Sequence, residues 1–208
     1  SDSSESASKP YEAAREPLTH CLKLDPKLAD CAFLLGEVEE WAEHAQVAAE
    51  LYTRAIRLDS GQPHYYRALA ALYRVFKQAN ESERVLVEGM ARVQPSLRHH
   101  AALARMSVSL AQLSAVRHDA QASQHWLEQA EANFDEGAPE VAYQIGAIYA
   151  SEYEASRDSS KQQAALRLLS VFVKRTWRGA DVAKFKEECA LSSIMMQARG
   201  SDAPPRRT

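Results

Sequence analysis

The side chains best suited to chemistry in this sequence are its three cysteines and seven histidines. His99 and His100 are adjacent, and His118 and His125 are seven residues apart. A metal site needs ligands that converge on one point, and none of the histidine or cysteine spacings matches a zinc motif or a CxxC redox motif. We therefore predict no metal ion and no cofactor, with the histidines at the surface or capping helices.

Paired carboxylates and nucleotide-binding loops are other routes to catalysis. Two pairs of glutamates are adjacent in sequence, Glu39–Glu40 and Glu187–Glu188, but neighbouring residues of a helix point in different directions. The sequence contains no GxGxxG, GxxxxGKS/T, HExxH or GxSxG motif. These observations predict that the protein is not an enzyme.

Composition narrows the classes of partner. The formal net charge of -3 argues against general nucleic-acid binding, which usually needs a strong basic excess. No apolar run approaches the roughly 18 residues that cross a bilayer. Residues 1–10 are serine-rich and predicted to be a flexible leader, and residues 199–208 a disordered tail. The sequence fits a cytoplasmic protein, and also a periplasmic or lipid-anchored one whose signal or anchor was removed before Ser1.

A repeat with a period of 34 residues organises the first part of the chain. The segment Tyr11–Pro26 aligns with Ala45–Ser60, so that LDP at the end of one matches LDS at the end of the other. The segment beginning at Ala29 aligns in the same way with the segment beginning at Pro63. Apolar residues recur at helical spacing in both segments, so each repeat is predicted to be a pair of helices.

Small residues fall where the two helices of a pair would approach each other, namely at Gly36, Ala48 and Ala55. Each second helix is predicted to stop at Leu-Asp, because Pro26 disfavours helical geometry in the residue before it. This pattern resembles the tetratricopeptide repeat, most closely over residues 11–75. The resemblance implies an all-α, right-handed superhelical array of antiparallel helix pairs, with four to five repeats within residues 11–198.

The resemblance continues, more weakly, towards the C-terminus. Further helices are predicted over SERVLVEGMARVQP, LARMSVSLAQLSAV, QASQHWLEQAEANF, VAYQIGAIYASEYEAS, KQQAALRLLSVFVKRTW (after a longer connection) and DVAKFKEECALSSIMMQ (a capping helix). Proline in a helix interior costs about 3 kcal/mol, so a kink or a later helix start is predicted at Pro17. The N-terminal end of the array is expected to lack a cap.

In this family the first helix of each repeat lines a concave groove that holds a peptide or a partner helix. The resemblance thus implies a lining that is acidic and aromatic at one end, then basic, then apolar, the last part from Ala101, Ala104 and Val108. The predicted partner-binding residues are Asp30, Phe33, Glu37, Glu40, Trp41, His64, Arg67, Arg74, Gln112, Tyr143 and Gln144. The alternative is an ordinary solvated face with Phe33 and Trp41 in the core. No asparagine matches Arg67 and Arg74 as a carboxylate clamp would require, so chaperone-tail binding is not predicted.

Cys21 and Cys31 lie on consecutive predicted helices, near the seam between repeats. Two interpretations stay open: small buried residues in place of alanine, or a disulfide, which would imply an oxidising compartment. A count of free thiols on unreduced protein separates them.

Two functions fit these observations. The first is a non-catalytic scaffold or adaptor that binds a protein partner in its concave groove, within a bacterial envelope or secretion assembly. The second is an assembly protein that forms a homo-oligomer through the uncapped ends of its array. A molecular size that depends on concentration would favour the second.

Overall fold

The computed structural model describes residues 10–176 except 97 and 136, and this part of the chain is helical without any strand. Its helices are α1 (Pro10–Leu24), α2 (Ala29–Trp41), α3 (Ala45–Leu58), α4 (Pro63–Val75), α5 (Ala79–Arg92), α6 (His100–Val116), α7 (Ala120–Ala132), α8 (Pro139–Ser156) and α9 (Ser159–Thr176). The all-α prediction is confirmed. The predicted capping helix over residues 181–197 and the tail lie outside the described residues, as does the leader up to residue 9.

Four turns between helices share one backbone conformation. A residue other than glycine adopts a left-handed conformation at each of them, with φ of 65° at Glu43, 58° at Lys77, 60° at His118 and 57° at Arg157. At the first, the N–H of the following residue, His44, donates to the carbonyl oxygen of Glu39 at 2.8 Å. This is the 6→1 hydrogen bond typical of a helix end. In the described part of the chain the turns mark four helix pairs, α2–α3, α4–α5, α6–α7 and α8–α9, and α1 before them corresponds to the second helix of a pair.

The second helices of these pairs bury a repeated small, large, small pattern. Its members are Ala48, Tyr52 and Ala55 on α3, Ser82, Leu86 and Gly89 on α5, and Ser123, Leu127 and Ala130 on α7. Positions four and seven residues apart share one face of a helix, so each set faces the core. The close approach predicted at Gly36 is present, because a Cβ added there would lie 2.7 Å from Cε1 of Tyr52.

The chain divides into two compact units, and the boundary lies inside α6, after Met106. In the first unit, α2 packs on α1 and α3, and α4 packs on α3 and α5. In the second unit, α8 packs on α9 and α7. The second unit has its own apolar centre, in which Ile145, Leu168 and Leu169 are almost fully buried.

One prediction was wrong, that of a longer connection before α9, and of the two alternatives at Pro17 the later helix start is excluded. Helix α1 runs from Pro10 through Pro17, so the helix does not start later. The connection between α8 and α9 is short rather than long, because α8 continues to Ser156 and only Arg157 and Asp158 precede α9. The left-handed conformation of Arg157 reverses the chain in this short space.

Helix α1 lies on α2 through polar contacts as well as apolar ones. Glu39 of α2 is 8% exposed, and its Oε1 accepts a hydrogen bond from Nε of Arg15 on α1 at 2.8 Å. Its Oε2 lies 2.6 Å from Nδ1 of His44. Burial alone would raise the pKa of Glu39, but the hydrogen bonds and charges of His44 and Arg15 outweigh burial, so the pKa falls below its ordinary value of 4.5.

We expect this network to make folding stability sensitive to acid. A carboxylate whose pKa is lowered by folding stabilises the protein above its unfolded-state pKa, and this stabilisation is lost as pH falls through the folded-state pKa. Glu39→Gln should lower the free energy of unfolding at pH 7 by about 1 to 2 kcal/mol, and the difference from the parent should shrink below about pH 4. Urea denaturation between pH 7 and acid measures both quantities. A difference that is independent of pH would contradict the expectation.

Candidate partner-binding site

Five of the predicted binding residues belong to α2 and differ sharply in exposure. Asp30 and Trp41 are exposed, Trp41 to 73%, and Glu37 and Glu40 are half-buried. Phe33 is 9% exposed. The exposed and half-buried members follow the helix at intervals of three, four and seven residues, so they form one stripe along α2.

Phe33 belongs to a ring cluster in the core. Its ring centroid lies 4.9 Å from that of His64, 5.0 Å from that of Tyr65 and 5.5 Å from that of Tyr52. Tyr65 and His64 belong to α4 and Tyr52 to α3, so Phe33 joins three helices. Its burial fits the alternative that this residue is core, whereas Trp41 is open to a partner.

Two buried tyrosines orient the carboxylates of the stripe. Tyr65 donates its hydroxyl hydrogen to Oδ1 of Asp30 at 2.5 Å, and Tyr52 donates to Oε2 of Glu40 at 2.6 Å. Burial, and then the hydrogen bond to a carboxylate, raise the pKa of both tyrosines. The tyrosines therefore stay protonated and hold the carboxylates in place. These pairs are not visible in the sequence, because each joins residues of different helices.

Glu37 and Glu40 form a like-charged pair one helical turn apart. Burial raises the pKa of Glu37, and the neighbouring carboxylate of Glu40 raises it further. Among the described residues, neither carboxylate has a cationic side chain within ion-pair distance. The pair therefore leaves a negative charge open at the surface of α2.

Helix α4 presents the equivalent stripe one period later. A shift of 34 residues places Arg74 at the position of Glu40 and Val75 at that of Trp41. Arg74 is exposed, Val75 is 72% exposed, and the two other predicted residues, His64 and Arg67, are half-buried. The change from acidic α2 to basic α4 follows the predicted order of charges.

An open pocket of about 510 Å³ lies at the start of α4. Its lining residues are Gln62, Pro63, His64, Ser96, Arg98, His99 and Ala102. Burial lowers the pKa of His64, and the positive charge of Arg67 lowers it further. The negative charge of Asp30 raises this pKa but does not outweigh burial. Arg98 places a positive charge at this pocket. Three residues of this pocket were not among the predicted binding residues, namely Ser96, Arg98 and His99.

The comparisons with known proteins concern the fold. Neither a family model nor a curated protein matches the sequence. The solved structure of PilF from Pseudomonas aeruginosa is 18% identical, covers 92% of this chain and 84% of that one, and has a TM-score of 0.63. MamA is 15% identical over 79% of this chain and 87% of that one, with a TM-score of 0.55. YrrB, described as a TPR protein with an unusual peptide-binding site, is 13% identical over 88% and 97%, with a TM-score of 0.55.

The chain has the tetratricopeptide-repeat fold. The structural similarity to these proteins agrees with the 34-residue period of the sequence and with the four repeated left-handed turns. It extends over most of this chain and over most of the three related structures. At these levels of sequence identity the comparison supports the fold only. The partner has to be inferred from the residues of this chain.

In the third tetratricopeptide pair, the predicted apolar lining was wrong. Ala104 is fully buried and Val108 is 2% exposed. The half-buried and exposed residues of α6 instead form a stripe of Ala102, Arg105, Ser109 and Gln112. Gln112, the member that was predicted, is exposed.

In the fourth tetratricopeptide pair, the two predicted residues have different surroundings. Gln144 on α8 is exposed. Tyr143 is half-buried, and its ring centroid lies 5.0 Å from that of Phe172 on α9. Tyr143 thus packs within its own helix pair, whereas Gln144 faces solvent.

Cys21 and Cys31 are joined by a disulfide in the structure, with Cα atoms 6.3 Å apart. The bond links α1 to α2 across the short turn between them. Of the two interpretations from sequence, this geometry matches the disulfide, and the thiol count remains its test. Cys189 lies outside the described residues.

The described part of the chain offers neither a metal-binding group of side chains nor a helix that could span a membrane. No group of three histidine, cysteine, aspartate or glutamate side chains there is arranged to hold a metal ion. None of the described helices combines the length and the apolar character that a bilayer-spanning segment needs. His118 and His125 are both exposed, and His118 is one of the left-handed turn residues.

Proposed function

We propose that the protein is a non-catalytic scaffold or adaptor that binds a protein segment on the α2 and α4 stripes of its first unit. The observation that carries the proposal is the exposure of Trp41, at 73%, on the open side of α2. A tryptophan so open to water is unusual, and tryptophan and arginine are the residue types most enriched where interfaces bind tightly. Val75 and Arg74 stand at the equivalent end of α4 and extend the same surface.

The fold supports this proposal by analogy. Stacked helix pairs create extended surfaces, and YrrB carries a peptide-binding site on this fold. The tyrosine-held carboxylates of Asp30 and Glu40 supply fixed acceptors for a partner's N–H or cationic groups. Fixed acceptors lose little entropy on binding, which favours recognition of a partner.

The proposal predicts that a partner is lost when the stripe is changed and the fold is not. A triple variant, Trp41→Ser, Arg74→Glu and Val75→Ser, should capture at least about tenfold less of the partner that the parent captures from an extract of the source cells. The matched control is Val47→Ser with Arg57→Glu, because both residues are exposed on α3. Circular dichroism checks that all variants stay helical.

Either of two results would reject the assignment of this surface. One is equal capture by the parent and the triple variant, and the other is equal loss in the triple variant and the α3 control. The identity of a captured partner also tests the proposed setting in an envelope or secretion assembly.

Self-association through the array ends is the weaker alternative. The exposed residues of α1 are mostly polar, as in a capping helix, and include Glu12, Glu16, His20 and Lys23. We expect sedimentation velocity to show a single species whose size does not change over a wide range of protein concentration. A size that rises with concentration would favour the alternative.

A further inference from the structure

Large apolar side chains are exposed at the C-terminal ends of α2 and α4. Trp41 is 73% exposed, Val75 72% and Phe76 52%. Beside Phe76 an open pocket of about 270 Å³ is lined by Ala45, Gln46, Ala49, Leu72, Tyr73, Phe76 and Gln78. Most of its walls are apolar, and it has room for one large apolar side chain.

The pocket and Trp41 are close in the chain and share one edge of the first unit. Ala45 and Gln46 of the pocket follow Trp41 after a three-residue turn. Glu37 lies one turn before Trp41 on α2, and Glu40 immediately precedes it. We call the surface formed by Glu37, Glu40, Trp41, Val75 and Phe76 the Trp41 edge.

The Trp41 edge is negatively charged on its α2 side and positively charged on its α4 side. On the α2 side, Tyr52 holds the carboxylate of Glu40, and no described cation pairs with Glu37 or Glu40. On the α4 side, Arg74 and Lys77 are exposed next to Val75 and Phe76. A cationic group of a partner is therefore attracted to α2 and repelled from the end of α4, which sets the direction of a bound segment.

We propose that the Trp41 edge binds a partner segment in which a lysine or arginine stands beside a large apolar side chain. The inference rests on the proposed function and names the chemistry of the partner. The cation lies over the indole face of Trp41, where the ring quadrupole attracts it, and is paired by Glu37 and Glu40. The apolar side chain enters the pocket beside Phe76. An acidic segment would instead face the open carboxylate pair, and like charges at an interface oppose binding.

Binding of defined peptides tests this inference. The probes are three short, acetylated, fluorescent peptides with alternating leucine and arginine, leucine and glutamate, or serine and arginine. Fluorescence anisotropy should show that the leucine–arginine peptide binds the full chain about tenfold more tightly than either of the others. The second comparison isolates the apolar side chain, and the first isolates the charge.

Two double variants separate local recognition from general attraction. Glu37→Gln with Glu40→Gln should weaken binding of the leucine–arginine peptide about tenfold. Glu12→Gln with Glu16→Gln removes the same charge from exposed residues of α1 and should change binding less than about twofold. Circular dichroism checks that both variants remain folded.

Three results would overturn the inference. They are an equal loss in both double variants, binding of the leucine–glutamate peptide as tight as that of the leucine–arginine peptide, and no binding of the leucine–arginine peptide to the parent. These failures are distinct from a failure of the proposed function. If the triple variant at Trp41, Arg74 and Val75 still loses its cellular partner, the surface is correct and only the partner's chemistry is wrong.

Discussion

Replacing Gly36 with valine is expected to lower the free energy of unfolding by about 3 kcal/mol. A Cβ at this position would lie 2.7 Å from Cε1 and 2.8 Å from Cδ1 of the Tyr52 ring. Tyr52 is fully buried, its ring packs against Phe33, and its hydroxyl is hydrogen-bonded to Glu40, so the ring has little freedom to withdraw. Helix α2 must then move away from α3, and contacts along both helices weaken.

Urea denaturation measures this loss, and a second valine provides its control. Leu34→Val lies on the exposed side of α2, so it should cost only a helix-propensity difference of a few tenths of a kcal/mol. Gly36→Ala should fall between the two, because alanine gains about 1 kcal/mol of helix propensity against the same steric clash. Equal stability of the two valine variants would show that α2 and α3 do not approach as closely as described.

Breaking the bond between Cys21 and Cys31 should cost about 2 to 3 kcal/mol, because the short loop that it closes gains freedom in the unfolded chain. The expected effect is concentrated on α1. None of the described side chains of this helix is fully buried, and its other strong tie to α2 is the contact between Arg15 and Glu39. We therefore expect amide hydrogens of α1 to exchange much faster in the Cys21→Ser and Cys31→Ser double variant, while those of α3 and α4 change little.

A thiol count and one further variant complete this test. The unreduced, denatured protein should show a single reactive thiol, that of Cys189, since the sequence holds three cysteines. Cys189→Ser should leave the exchange of α1 unchanged. Three reactive thiols in unreduced protein would show that Cys21 and Cys31 are not bonded, and would favour their role as small packing residues.

The repeat and most of the helix boundaries near it can be predicted from the amino-acid sequence. Helix α2 begins at Ala29 and α4 at Pro63, as the period of 34 predicts, and α1 and α3 end at Leu24 and Leu58, before the aspartates that follow. These features depend on local physics: apolar spacing, small residues at a close contact, and a proline that stops a helix. Such preferences act within a few residues and are therefore visible in the sequence.

Which of the predicted residues are open to a partner depends instead on how the helices pack. Phe33 and Trp41 are both aromatic residues of α2, yet His64 and Tyr65 of α4 cover Phe33, whereas Trp41 remains exposed. In the same way, Val108 of α6 was predicted to line the groove and is buried in the structure. Helical periodicity defines the faces of a helix, but burial depends on which side chains of neighbouring helices reach each face. Those neighbours are more than 30 residues away in the chain for Phe33, so spacing alone cannot identify them.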